Sequence, residues 1–258
     1  MGVVQTNQWL QELYTNPIEL CKNVRSYFPR GTSAREIYAY LRSHGMYRPI
    51  EERKKSPLDS LPKDVWAVAK KEYNLLQKEW GGPSVPIFIF PADETNPKIK
   101  TEFNGKSGLA FNDKLFLFFS NYNSSGEIKA VLTHEYNHVC RLSKYKKTES
   151  KYNLLDTVIL EGIAENAVKE RFGEKNVAEW TKYYSEERIK EIVQRMIIPN
   201  KNIEVSDRKH HAILYGKGFY PKMAGYCAGY YLVKQYLNNN NLRTKDVIGM
   251  NSKEFLYE

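Results

Sequence analysis

The stretch Thr133-His134-Glu135-Tyr136-Asn137-His138 constrains this chain more than any other. An H-E-x-x-H pattern within helical periodicity sets two histidines one turn and a little apart, so both rings leave the same face of a helix. Two neutral imidazoles at that separation fill two of the four tetrahedral positions around a zinc ion. The Glu135 carboxylate lies beside them, placed to take a proton from water. The plain alternative is a surface helix with two histidines and a solvated glutamate. The chain has five histidines, so a chance match at fixed positions is roughly a one-in-a-hundred event. Chance explains the motif poorly, and a third ligand is the feature to look for.

Residues 154–165 offer one. Leu155, Val158, Ile159, Ile163 and Ala164 trace one helical face, with Glu161 and Glu165 one turn apart on its edge. Glutamates on helices are usually solvated, so the E-G-I-A-E segment alone is weak. Its position matters more: 22 residues separate His138 from Glu161, enough for a turn and a second helix returning past the first. Glu161 is then expected to complete a His₂Glu set and leave the fourth position to water. Glu165 is the fallback ligand, or else accepts the free ring N–H of a ligand histidine and fixes its tautomer. Gly162 is expected to let the two helices approach closely.

Between residues 5 and 80 the pattern is helical and carries no chemistry. Trp9, Leu10, Leu13 and Tyr14 recur at helical spacing, as do Ile37, Tyr38, Tyr40 and Leu41, and a longer helix from Asp64 stops at Gly81-Gly82-Pro83. His44 reads as a surface or capping histidine. The texture changes at residues 85–90, a short apolar run bounded by prolines that predicts a strand. Residues 108–111 and 115–119, joined across Asn112-Asp113-Lys114, predict a hairpin. Ser124 stands three residues before Glu127, the capping-box spacing that opens the histidine helix. An outer strand beside that helix is able to hold an extended peptide by main-chain hydrogen bonds, although a sheet that only covers the helix fits the same residues. Residues 176–198 predict one or two packing helices ending at Pro199, and residues 200–209 a polar loop. Asn238 to Asn241 end a later helix, and the last 17 residues form a capping element.

The net charge is +9 over 258 residues. Its lysines are scattered rather than gathered in one arm, which disfavours nucleic acid as a partner. The longest basic concentration, Arg141 to Lys151, directly follows the histidine helix; it reads as a solvated loop, with the flank of a substrate cleft as the alternative. Cys21, Cys140 and Cys227 are widely spaced and show no C-x-x-C, as expected of reduced thiols in a cytoplasmic protein. Residues 1–14 lack a basic region followed by an apolar run, and no stretch approaches the roughly 20 apolar residues of a membrane span. Neither a leader nor a membrane partner is expected.

His134-Glu135-x-x-His138 followed by Glu161-Gly162-Ile163-Ala164-Glu165 resembles the gluzincin metallopeptidases, in which the first glutamate of a similar segment binds zinc. Together with a later Gly-Tyr-x-x-Gly-Tyr, residues 225–230, the pattern is most similar to a bacterial family of predicted zinc-dependent proteases. That likeness spans about residues 85 to 250. It implies one Zn2+ per chain and a peptide or protein substrate. Such enzymes need an oxyanion donor besides the metal, and Tyr226-x-x-Gly229 resembles the helix start that carries this tyrosine in aminopeptidase-like gluzincins. His210, His211 and Tyr215 are the alternative donors; most of the six tyrosines between 215 and 236 must simply pack.

These expectations combine into an α+β, mainly helical chain with a gluzincin-like fold and a small sheet packed beside the H-E-x-x-H helix. A helical region over residues 1–82 precedes a metallopeptidase core over 83–258, as two parts or one continuous domain. The expected activity is zinc-dependent peptide-bond hydrolysis with Glu135 as general base. The rivals are a catalytically weak regulatory protein on a protease scaffold and a basic nucleic-acid-associated protein. An intact Glu135 argues against the first, and a salt-sensitive shift of DNA or RNA would favour the second.

Overall fold

Capping chemistry sets where the main helices begin. In the computed structural model, which describes residues 2–49 and 56–256, Ser33 and Glu36 form a reciprocal capping box at the start of α3 (Ala34–Ser43). It follows α1 (Thr6–Leu13) and α2 (Pro17–Leu20). The longer α4 (Val65–Trp80) stops where Gly81 turns left-handed at φ 55°, a conformation that glycine adopts without steric cost. The chain is mainly helical, 60% helix, and divides into two compact units, Met1–Tyr136 and Asn137–Glu258.

The first unit also holds the sheet. β1 (Ile87–Pro91) is followed by α5 (Pro97–Thr101), β2 (Lys106–Ala110) and β3 (Leu115–Phe119). β3 lies in the middle, parallel to β1 and antiparallel to β2. β1 and β3 are buried along their whole length, which is why their sequences, Ile-Phe-Ile-Phe-Pro and Leu-Phe-Leu-Phe-Phe, are continuously apolar rather than alternating. The predicted strand and hairpin are both present. β2 is half-buried throughout, and among the described residues no strand pairs with its outer edge. Ser120 donates to Gly105 O (2.9 Å) and Phe111 donates to Lys114 O (3.0 Å). Odd-numbered residues of β2 therefore bond inward to β3, and the main-chain groups of Gly108 and Ala110 point outward.

α6 (Ser125–Lys144) is the 20-residue helix that carries the H-E-x-x-H stretch, and the boundary between the units falls within it. Its start is the expected capping box: Ser124 N and Oγ donate to Glu127 Oε2, and Glu127 N donates back to Ser124 Oγ. Glu127 also accepts from Lys106 Nζ at 2.7 Å and Asn104 Nδ2 at 2.6 Å. Burial raises its pKa, yet these bonds outweigh that and hold it at about 2. The beginning of β2 is thereby tied to the beginning of α6.

In the second unit α7 (Leu154–Phe172) is buried on nearly every face, after an Asn153–Asp156 capping box. α8 (Glu186–Ile192), α9 (Arg208–Tyr215), α10 (Ala224–Asn240) and α11 (Thr244–Val247) surround it. A left-handed Asn241 caps α10, ending it where the asparagine run predicts.

Two expectations are corrected here. Gly162 serves close approach, but to α10 rather than to the histidine helix. A Cβ at 162 would stand 2.2 Å from Gly229 O, and one at 229 would stand 2.0 Å from Val158 O, so the two glycines let the α7 and α10 backbones touch. Arg141 is not part of a solvated loop; its side chain is fully buried. Its guanidinium donates to Ile248 O (2.9 Å), Met250 O (3.2 Å) and Ser252 Oγ (2.9 Å), bonds that support a charge out of water. Lys147, from the same basic run, pairs with Asp156. Among the described residues no helix is long and apolar enough to cross a membrane.

Candidate metal centre

The first face of α6 is fixed by what its opposite face buries. Tyr136 is fully buried, stacked on Trp80 (centroids 6.0 Å apart) and edge-on to Tyr73 (5.1 Å), and its hydroxyl donates to Pro83 O at 2.9 Å. With Tyr136 anchored in the core, helical geometry turns positions 134, 135 and 138 away from it. His134 and Glu135 are half-buried, and His138 is 8% exposed.

The ring nitrogens of His134 and His138 and a carboxylate oxygen of Glu161 lie within 4.8 Å of one another. His138 Nε2 stands 3.4 Å from Glu161 Oε2. Two donors at about 2.0–2.1 Å from one tetrahedral ion are about 3.3–3.4 Å apart, so this separation suits a shared zinc. The donor set, two borderline nitrogens and one carboxylate, suits zinc by its chemistry as well.

The other residues singled out in the sequence fall in different places. Glu165, one turn beyond Glu161, is buried and accepts the Ala178 N–H at 2.5 Å. Tyr226, at the start of α10, lies close enough to Glu161 to feel its charge, and its hydroxyl donates to that of Tyr215 at 3.3 Å. Burial pushes its pKa well above the usual phenol range, and Glu161 and Tyr215 push it further. The phenol therefore keeps its proton and stays a donor. His211 lies against Tyr215 with ring centroids 4.4 Å apart, so Glu161, Tyr226, Tyr215 and His211 form a continuous series. His210 is buried elsewhere, with Nε2 3.1 Å from Thr157 Oγ1. Burial, then the charge of His211, lowers its pKa and favours the neutral ring. Gly225 and Gly229 answer to packing on either side of Tyr226: a Cβ at 225 would meet Leu214 at 2.8 Å.

One contact was missed in the sequence. A Cβ at Gly108, on β2, would stand 2.3, 2.5 and 2.7 Å from Cγ, Cδ and Oε1 of Glu135. The signal was a lone glycine inside a strand pattern, which often marks a close approach, but nothing in the sequence named the group approaching.

Two histidines one helical turn apart and a glutamate from a second helix define a candidate metal centre. The chain belongs to the DUF2268 family of predicted Zn-dependent proteases, whose model matches residues 65–257. It is 39% identical over 258 residues to YjaZ of Bacillus subtilis (strain 168), described as an uncharacterized protein, covering 99% of this chain and 98% of the relative. YjfC of the same organism, also described as uncharacterized, is 21% identical over 176 residues, 65% of this chain and 58% of its own length. No solved structure matches the chain.

Proposed function

We propose that this protein is a zinc-dependent peptide hydrolase on a gluzincin-like scaffold, with one Zn2+ held by His134, His138 and Glu161. The convergence of those three donors within 4.8 Å is the observation that carries the reading. Zinc bound there would supply Lewis-acid polarisation and a water acidified to a pKa of about 7. Glu135 takes the proton of the attacking water and passes it to the leaving amine, acting as base and then acid. Tyr226 donates its retained proton to the developing oxyanion; the Tyr215 hydroxyl beside it holds that phenol in place. Glu165 accepts the Ala178 N–H and so ties the segment after α7 to the helix that carries Glu161. A peptide lying along β2 would find the outward main-chain groups of Gly108 and Ala110 as rungs, beside the Glu135 carboxylate. Such recognition is tolerant of side chains and suits endopeptidase or oligopeptidase action on peptides or unfolded protein. Cys21, Cys140 and Cys227 are buried and form no disulfide among the described residues, with burial raising the pKa of Cys21 and Cys227 to about 12. Inert thiols of this kind support a reducing, cytoplasmic setting.

The zinc-loaded protein is expected to cut a proteome-derived peptide library, to stop when zinc is chelated, and to resume when zinc alone is returned. Cleavage indifferent to chelation, or none by the loaded protein, contradicts the reading.

Tyr226→Phe is expected to lower the rate by on the order of 10²-fold with zinc content and folding unchanged. A tyrosine that only packed would lose about 1 kcal/mol of stability and almost no rate. Rates for Tyr226→Phe, Tyr215→Phe and His211→Ala on one peptide separate the donors. Should Tyr226→Phe cleave normally while another variant collapses, the oxyanion role passes to that other residue.

A further inference from the structure

We infer that Gly108 is a positioning residue: the space left by its missing side chain is the seat of the Glu135 carboxylate. This rests on the hydrolase reading and adds a residue to it. The backbone at 108 does not itself require glycine, because its φ lies outside the left-handed range. A glycine inside a strand also gives up stability that a side chain would return. What the position does require is room. The three atoms nearest to a Cβ there all belong to the Glu135 side chain, at 2.3, 2.5 and 2.7 Å, distances that no real Cβ tolerates.

The side chain would yield, not the strand. β2 is held just before the approach, and to β3 along its length: Lys106 Nζ bonds Glu127 Oε1 at 2.7 Å, and Ser107 Oγ donates to His44 O at 2.8 Å. Next to Ser107 the chain is tight as well, since a Cβ at Gly45 would stand 2.2 Å from Ser107 Oγ. A methyl at 108 therefore rotates the Glu135 carboxylate off its seat while the sheet stays paired. Lys106, Gly108 and Ala110 share one face of β2 by the two-residue repeat. That face meets α6 first at Glu127 and then at Glu135, so the strand sets the base just where its outward rungs would hold a peptide.

Gly108→Ala tests this. Its kcat is expected to fall by on the order of 10²-fold, the cost of misplacing a reacting group by about 1 Å. KM, zinc content and melting temperature should stay close to wild type, and a crystal structure of the variant should show Glu135 in a new rotamer. A Glu135→Ala background removes all three of those atoms. There, Gly108→Ala should leave affinity for an uncleaved peptide unchanged. Should Gly108→Ala alone fail to fold while the Glu135→Ala, Gly108→Ala double variant folds, the conflict is still with Glu135 and the inference stands. Wild-type kcat in Gly108→Ala, an unmoved Glu135 in its structure, a peptide affinity that drops in the double variant, or misfolding of both variants would each overturn it. A wild-type protein that cuts no peptide sinks the hydrolase reading and this inference with it, whereas an active wild type whose kcat survives Gly108→Ala sinks the inference alone.

Discussion

Glu135→Gln is expected to bind zinc as the wild type does and to lose hydrolysis by on the order of 10³-fold or more, near the upper range for removing a general acid–base group. The amide keeps the length and shape of the carboxylate, so it still fits the seat beside Gly108. It cannot accept the proton of an attacking water, and that is the step assigned to Glu135. Glu135 is not part of the His134, His138 and Glu161 cluster that could hold a metal, so zinc content should not change. Single-turnover rates on one defined peptide, beside metal analysis of the same preparations, read the two effects separately. Loss of zinc in Glu135→Gln would move the residue from base to ligand. Near-normal hydrolysis would remove it from the mechanism.

Local chemistry was legible in the sequence wherever a few adjacent residues decide the outcome. The Ser124–Glu127 box at the start of α6 and the Asn241 cap of α10 were readable from short-range rules. So were the hairpin across residues 112–114 and the spacing that puts His134 and His138 on one face. Contacts set by tertiary packing were not. The periodic apolar face of α7 shows that Gly162 is buried but not which helix covers it, and α10 rather than α6 meets it. The parallel pairing of β1 with β3 likewise has no local signature, because both strands are apolar on each face. Arg141 looked like part of a basic loop because charge alone does not reveal carbonyls more than 100 residues away that accept from a buried guanidinium. For the candidate site, the clustering of His134, His138 and Glu161 was anticipated from spacing, whereas the meeting of Gly108 with Glu135 depends on how β2 lies along α6.

Glu161→Gln should lower zinc affinity by more than the 10- to 100-fold typical of removing an outer-shell partner, because the neutral amide loses the charge that a carboxylate ligand brings. Its Oε2 is 3.4 Å from His138 Nε2, the separation of two donors on one tetrahedral ion. Glu165→Gln alters a side chain that accepts a backbone N–H at 2.5 Å and should cost no more than that outer-shell range. The central claim is tested most directly by elemental analysis of wild type, Glu161→Gln and Glu165→Gln purified without added metal, followed by zinc titration. One zinc per wild-type chain, with a depleted and weakly binding Glu161→Gln, is the predicted result. No zinc in the wild type and no uptake on titration would contradict the centre itself, and full zinc in Glu161→Gln with loss in Glu165→Gln would invert the ligand assignment.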